Sequence, residues 1–282
     1  SKENWGGPVR GGDFGDERLR DLAISKHDRE AGAFEEEYGS RAKSGHRATA
    51  FLLGREKIDR LLADRLLTLS DGARVLDAGC GTGHQVADMV KAGFDAVGVE
   101  PSLEMRRRAK ALNPGVEVVD GSVTDLPFDD ASFDAVIALE VLRYLPRADN
   151  LAAFREIHRV LRPGGMIFLT MVNRWAIDGY VIWEGVLARR SLSDDGPNRA
   201  HCEFVTPGGA RRDLVSHGFD GVETHGRLLL PLRWAYKIHL RLGRMVATVL
   251  DPVDNLLCRI PGTAGLAGHL VVVARAGEAA EG

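Results

Sequence analysis

The sequence predicts an α/β fold, a doubly wound and mostly parallel sheet of seven strands with helices on both faces. Short apolar runs alternate with segments of helical periodicity between residues 74 and 172. The first of these runs ends in a glycine-rich turn, after which helical periodicity resumes at once. The run at 133–139 is nearly all apolar, as expected of a strand that is buried on both faces.

The order of the elements follows from these runs and from the turn residues between them. Strands are expected at 74–78, 96–100, 116–119, 133–139, 166–172, 221–225 and 269–274. Helices are expected at 51–69, 83–93, 101–112, 150–161 and 206–217. Repeated β-α units of this length place helices on both faces, and ligands of such sheets bind at the carboxyl ends of the strands.

The chain of 282 residues is interpreted as one domain with additions. Residues 1–50 are expected to form an N-terminal helical arm and lid, with a glycine-rich and mobile stretch at 1–16, and residues 51–282 to form the domain itself. Two insertions, 174–204 and 227–264, interrupt the alternation of strands and helices. They carry Trp175, Trp183, Trp234 and Tyr236, which favour an apolar or aromatic ligand.

Composition excludes several classes of function. The 37 basic and 40 acidic residues give a net charge of −3, which argues against a nucleic-acid-binding protein. Three widely spaced cysteines, Cys80, Cys202 and Cys258, fit neither a disulfide framework nor a zinc site, so no metal is expected. No long uncharged apolar run is present and the N-terminus lacks a signal-peptide core, so the expected location is the cytoplasm.

The turn after the first strand carries the clearest functional signal. Residues 75–83 read Val-Leu-Asp-Ala-Gly-Cys-Gly-Thr-Gly, and Glu100 closes the next strand. A dinucleotide motif has the spacing G-x-G-x-x-G, whereas here the third glycine comes one residue early and His84 takes the small-residue position. The loop therefore favours a nucleoside cofactor without a pyrophosphate. The carboxylate of Glu100 would accept hydrogen bonds from the ribose hydroxyls of that cofactor.

These residues resemble motif I of the class I S-adenosylmethionine-dependent methyltransferases. Residues 121–128, 132–139, 156–165 and 206–219 resemble further segments of that family. The resemblance implies a Rossmann-like methyltransferase fold, S-adenosyl-L-methionine as cofactor and S-adenosyl-L-homocysteine as product, with the two insertions forming a lid. It is nearest to the ubiquinone and menaquinone C-methyltransferases and to natural-product O-methyltransferases.

The resemblance also implies which residues contact the cofactor. Ser122 stands where the family usually carries an acid, so the backbone N–H of Val123 is the expected partner of the adenine. The carbonyl that ends the fourth strand, at Leu139 or Glu140, is expected beside the methionine amino group. The implied cofactor-binding set is Asp77, Gly79, Cys80, Gly81, Gly83, Glu100, Pro101, Ser122, Val123 and Leu139, with Tyr38 and Arg41 as lid residues.

Methyl transfer to an acceptor that must lose a proton gains from a general base. His201, Glu140 and Tyr144 are the candidate catalytic residues, and the free imidazole of His201 has the most suitable pKa. The favoured reaction is O-methylation of a small aromatic, isoprenoid or natural-product acceptor.

Alternatives remain open at this point. A nicotinamide-dependent oxidoreductase would use the same sheet, and a methyltransferase-like protein could bind the cofactor without turnover. Residues 139–142 lack the motif of nucleic-acid base methyltransferases.

The second insertion is expected to contain a basic amphipathic helix. One face of this helix carries Arg233, Lys237, Arg241 and Arg244. A lid helix with a solvated charged face is favoured over peripheral membrane contact through 227–250. The oligomeric state is left open.

Overall fold

The computed structural model describes residues 18–29, 31–32, 49–178, 201–260 and 262–277. Its centre is one sheet of eight strands. The strands are β1 (Arg74–Ala78), β2 (Asp95–Val99), β3 (Glu117–Val119), β4 (Phe133–Ala138), β5 (Leu161–Asn173), β6 (Phe204–Val205), β7 (Phe219–Arg227) and β8 (His269–Ala276). The helices are α1 (18–29), α2 (Ala50–Leu66), α3 (His84–Lys91), α4 (Leu103–Leu112), α5 (Arg147–Val160), α6 (Pro207–Val215), α7 (Leu232–Ile238) and α8 (Leu240–Leu257).

The strand order is β3-β2-β1-β4-β5-β8-β7. Strands β1 to β5 are parallel, whereas β8 runs antiparallel to both β5 and β7. The carboxyl ends of the parallel strands and the amino end of β8 therefore meet at one edge of the sheet. The order reverses between β1 and β4, which is where ligands of open α/β sheets bind.

Apolar side chains cover both faces of the sheet, because successive residues of a strand point to opposite sides. On one face Leu76 packs in a cluster with Phe154 and other residues of α5. On the other face Val75 packs in a cluster with Ile58 and Leu62 of α2. All of these side chains are fully buried, and each stabilises the fold by roughly 1.5–3 kcal/mol through removal of apolar surface from water.

The predicted fold class is confirmed, and all seven predicted strands are present. The eighth strand, β6, pairs with the end of β5 and was not predicted, because two residues are too few to show periodicity. Strand β5 also begins earlier than predicted, since Leu161 already pairs with Phe133 of β4.

The insertion at 227–264 contains two helices, α7 and α8, whereas the charge pattern predicts one helix with a single basic face. The backbone is extended at His239, with φ −163° and ψ 136°, and this residue separates α7 from α8. The expectation that Arg233 and Arg241 share one helical face is therefore wrong. Arg233 is partly buried against His269, while Arg241 is exposed on the next helix.

Part of the predicted arm and lid falls on residues that the structure does not describe. The stretch 1–16, both Tyr38 and Arg41, and most of the insertion at 174–204 lie outside the described residues. Among the helices that are described, none combines the length and the apolar character needed to cross a bilayer.

Candidate functional site

The loop between β1 and α3 presents bare backbone at the carboxyl edge of the sheet. Gly79 has φ +80°, a conformation that L-residues with side chains rarely adopt. A Cβ at this position would stand 2.3 Å from Cγ2 of Val141. The Gly79 N–H donates to the carbonyl of Val99 at 2.7 Å, which holds the loop beside the end of β2.

Glu100 follows β2 and fixes the other side of this loop. Its Oε2 accepts from the N–H of Gly81 at 2.9 Å, and its Oε1 accepts from the N–H of Ser102 at 2.9 Å. Burial raises the pKa of Glu100, and the two backbone donors oppose that rise. A carboxylate has about four lone-pair positions, so the two oxygens can each accept a further hydroxyl, as a ribose requires.

Two more side chains of the loop are perturbed by burial. Burial raises the pKa of Asp77, the fourth residue of β1, to about 7, while the charge of Arg55 acts in the opposite direction. A cationic ligand near this carboxyl would favour its ionised form. Burial likewise raises the pKa of the Cys80 thiol well above its ordinary value, so Cys80 stays protonated and is not a nucleophile.

A cleft of about 290 Å³, called the main cleft below, opens over this loop. Its floor comes from the strand ends, and one side is closed by α1. It is lined by Arg20, Ala23, Ile24, His27, Phe51, Arg55, Asp77, Gly79, Cys80, Gly81, Thr82, Gln85, Glu100, Pro101, Met105, Ser122, Val123, Leu139, Glu140, Val141, Arg143, Tyr144 and Leu145.

Almost every described residue of the predicted cofactor-binding set lines the main cleft. Gly83 does not. It is the N-cap of α3, and a Cβ there would lie 3.2 Å from Cβ of Ala109, so it allows the loop to pack closely on α4.

Helix α1 belongs to the predicted N-terminal arm and lid, but none of its residues was predicted to line the cleft, because its charged residues obscure the periodicity. Ala23 and Ile24 face the cleft together with His27, at the spacing of one helical turn. Arg20 pairs with Asp149 at 2.9 Å, and the carboxylate of Asp28 accepts from the hydroxyl of Ser102. These contacts hold α1 across the strand ends.

A second cavity of about 340 Å³, called the side chamber below, adjoins the main cleft. Phe51, Arg55, Glu140 and Arg143 line both cavities. The side chamber is completed by residues of three elements, α2, α7 and β8, namely Ala50, Ile58, Arg233, Tyr236 and His269.

Glu140 stands between the two cavities in a backbone conformation that is costly for a residue with a side chain. Its φ is +61°, and its N–H donates to Oγ1 of Thr170 at 2.6 Å. Its carboxylate accepts from Nη1 of Arg143 at 2.9 Å and lies 3.2 Å from Nδ1 of His269. Burial opposes the charged form, but His269 and Arg143 outweigh it and hold the pKa of Glu140 well below its ordinary value. Strained backbone of this kind clusters at functional sites.

His269 was not predicted as a site residue. It is the first residue of β8 and pairs with Val172, near the carboxyl end of β5. The antiparallel direction of β8 is what brings it to the functional edge. The guanidinium of Arg233 donates to Nε2 of His269, and Nδ1 of the same ring lies 3.2 Å from Oε1 of Glu140. The imidazole is thus oriented by a carboxylate, with its basic nitrogen at the wall of the side chamber.

The other two catalytic candidates have different surroundings. Nε2 of His201 lies 3.0 Å from Oε2 of Glu203, and His201 is not among the residues that line either cavity. Tyr144 lines the main cleft, with its ring edge-to-face on His27 at 4.8 Å between centroids. That contact ties the segment after β4 to α1.

Comparison with known proteins identifies a domain within the chain. Residues 76–169 match the family model described as a methyltransferase domain. The chain is 41% identical over 108 residues to a ubiquinone biosynthesis O-methyltransferase of Xanthomonas axonopodis pv. citri, covering 36% of this chain and 44% of the relative. It is 36% identical over 124 residues to a demethylmenaquinone methyltransferase of Clavibacter sepedonicus, covering 43% and 50%.

Among solved structures, a Thermotoga maritima S-adenosylmethionine-dependent methyltransferase, described as a possible histamine N-methyltransferase, superposes with a TM-score of 0.58. That match covers 90% of this chain and 99% of the other at 17% identity, so it shows the shared fold. The chain spans about half the length of the curated relatives it matches.

The site's own geometry fits the cofactor of that family. The loop has open backbone, Glu100 offers acceptors for ribose hydroxyls, and the buried Asp77 favours a cationic group nearby. The predicted recognition and cofactor are thereby confirmed for this part of the chain: residues 76–169 form a class I methyltransferase domain whose cofactor is S-adenosyl-L-methionine.

Proposed function

We propose that the protein transfers a methyl group from S-adenosyl-L-methionine to a hydroxyl oxygen of a small, largely apolar acceptor bound in the side chamber. The observation that carries this proposal is the oriented His269–Glu140 pair at the junction of the two cavities. A histidine whose Nδ1–H faces a carboxylate is arranged to accept a proton at Nε2.

In this proposal the cofactor supplies an activated methyl group on a positively charged sulfur. The residues of the chain then align the acceptor, exclude water and move one proton. Alignment of this kind contributes up to about 7–11 kcal/mol in well-oriented systems. Phe51 and Tyr236 provide apolar walls for the acceptor, and α1 covers the main cleft.

The acceptor hydroxyl takes the place of the Arg233 guanidinium at Nε2 of His269. Nε2 of His269 accepts the proton of the acceptor hydroxyl, while the bound cofactor would supply the methyl group and leave as neutral S-adenosyl-L-homocysteine. Glu140 stabilises the imidazolium that forms, and Arg233 stays close enough to stabilise the developing negative charge on oxygen.

The relatives support this class of acceptor. The names of both relatives given above refer to quinones, and one of them is an O-methyltransferase. The family assignment disfavours a nicotinamide-dependent oxidoreductase on this sheet. The remaining alternative is a protein that binds the cofactor but does not transfer the methyl group. Only a measurement of activity distinguishes it from the proposed enzyme. The cytoplasm stays the proposed location, in keeping with three cysteines that form no disulfide among the described residues.

Release of S-adenosyl-L-homocysteine should be measured over a panel of phenols, quinols, sugar alcohols and amines. We expect turnover with phenols or quinols. His269→Asn should lower kcat by about 10²–10⁴-fold and leave the Kd of the cofactor unchanged. His201→Asn is the matched control and should keep full activity.

Two results would contradict the proposal. Turnover with amines alone would remove the need for a base that accepts a hydroxyl proton. Full activity of His269→Asn, with loss in His201→Asn, would return the catalytic role to the histidine that the sequence favours.

A further inference from the structure

Helix α8 carries an apolar surface that no described residue covers. Met245, Val249, Val253 and Leu256 follow one another at helical spacing, and they define what is called here the outer face of α8. These side chains are exposed to 62%, 66%, 46% and 65%. An exposed apolar stripe of this size on a helix marks a binding surface.

The charges of α8 are divided by sign between its two sides. Its only acids, Asp251 and Asp254, are buried and turn inward to Nζ of Lys57, at 2.6 Å and 2.8 Å. Arg241, which is exposed, lies one helical turn before Met245 on the same side of α8, and the exposed Arg259 follows the end of the helix. The outer face is therefore apolar and basic, although the whole chain carries a net charge of −3.

Further apolar side chains are exposed on α7, which packs against α8, and on the segments that contact α7. Trp234 and Ile238 of α7 are exposed, and the indole N–H of Trp234 donates to the carbonyl of Asp178 at 3.1 Å. The neighbouring Ile177, also exposed, donates its N–H to the carbonyl of Leu266, another exposed apolar residue. Such a mixture of aromatic and aliphatic side chains is typical of helices that lie in the interface of a bilayer.

We infer that the outer face of α8, with these neighbours, binds the surface of a membrane that contains anionic phospholipid. The apolar side chains enter the boundary between headgroups and acyl chains, and the arginines contact the phosphate groups. The absence of an exposed acid on this helix removes the repulsion that an anionic surface would otherwise meet.

The same surface adjoins the side chamber. Helix α7 places Arg233 and Tyr236 in the chamber wall and leaves Trp234 and Ile238 exposed. The backbone of α8 approaches the Tyr236 ring so closely at Gly243 that a Cβ there would lie 2.4 Å from Cγ. A membrane at this surface would bring lipid-dissolved acceptors to the chamber. The inference goes beyond the proposed reaction, and its test needs no turnover.

The test is flotation of the full chain with phosphatidylcholine vesicles and with vesicles that also contain phosphatidylglycerol. We expect the chain to bind the anionic vesicles at least about tenfold more tightly than the phosphatidylcholine vesicles, because each arginine near an anionic surface adds roughly 1 kcal/mol. Added salt should weaken this preference.

Variants identify the surface. Val249→Glu and Leu256→Glu should each lower vesicle binding at least tenfold. Each variant places a negatively charged carboxylate in the apolar boundary and next to anionic headgroups. Leu67→Glu is the matched control: Leu67 is 82% exposed at the end of α2, away from this surface, and its variant should bind as the wild type does. Thermal unfolding of each variant checks that the fold is retained.

Three results would overturn the inference. The wild type could float with neither kind of vesicle, or Leu67→Glu could lose binding as much as Val249→Glu. The third result is a wild-type dimer in sedimentation that Val249→Glu converts to monomer, with no binding to vesicles. That outcome would make the outer face of α8 an interface between copies of the chain.

Discussion

The main cleft and the side chamber share Glu140 and Arg143 but are assembled in different ways. The floor of the main cleft is built from the ends of β1 to β4 and the loops that follow them, within residues 77–145. The side chamber joins α2, the end of β4, α7 and the first residue of β8, which are up to about two hundred residues apart.

This difference explains which parts of the site the sequence makes visible. A cofactor that all members of a fold share can be bound by a short loop with fixed spacing, because backbone geometry determines the contacts. An acceptor site differs from protein to protein and is formed by elements added around the shared sheet. Its residues therefore carry no common motif.

The largest expected effect tests whether the side chamber depends on the buried ion pairs of Lys57, which join α2 to α8. Lys57→Met leaves two buried carboxylates, Asp251 and Asp254, without their cation. We expect the free energy of unfolding to fall by about 3–5 kcal/mol, as measured by chemical denaturation. Lys91→Met removes an exposed pair with Asp88 and should have little effect. Equal losses in the two variants would show that the buried network has no special role.

The next effect tests whether the main cleft depends on bare backbone. Gly79→Val places a branched side chain at a positive φ and against Val141, so we expect cofactor affinity to fall more than a hundredfold in calorimetric titration. Gly72→Val meets the same backbone strain at φ +70° with no atom within 4 Å, and it should keep wild-type affinity. Tight binding by the Gly79 variant would contradict the loop geometry.

A smaller effect separates the two cavities. Tyr236→Ala removes an apolar wall of the side chamber and no part of the main cleft. We expect the KM of the acceptor to rise about tenfold, in line with the roughly 1.5 kcal/mol that a lost apolar contact costs. The Kd of the cofactor should stay constant. A parallel rise in that Kd would mean that the two cavities are one binding unit.

The smallest effect concerns pH and the main cleft alone. Burial raises the pKa of Asp77 to about 7, so its carboxyl is largely protonated below that pH in the unbound protein. A cationic cofactor favours the ionised form, so binding releases a proton. Affinity should therefore rise with pH up to about 7, by at most roughly tenfold per unit, and level off above it. Asp77→Asn should bind weakly with no such slope; a slope that persists in this variant would assign the proton to another group.

The part of the site that could be predicted is the part that local sequence determines. Gly79, Gly81 and Glu100 were identified from spacing, and they lie together at the ends of β1 and β2. His269 was placed at the start of a strand but not at the site. The apolar run that follows it shows a strand, whereas the direction of that strand depends on which neighbour it pairs with. Ala23 and His27 likewise gained a role only when α1 was packed across the cleft.

The amino-acid sequence alone determined the alternation of strands and helices and the cofactor loop, because apolar periodicity and glycine spacing act over a few residues. The tertiary structure decided the rest. It placed an antiparallel strand between two parallel neighbours, so that His269 meets Glu140 at the functional edge. It also turned the acids of α8 toward Lys57 and left the opposite face apolar and basic. Side-chain pairs that lie far apart in the chain form only when packing brings their elements together.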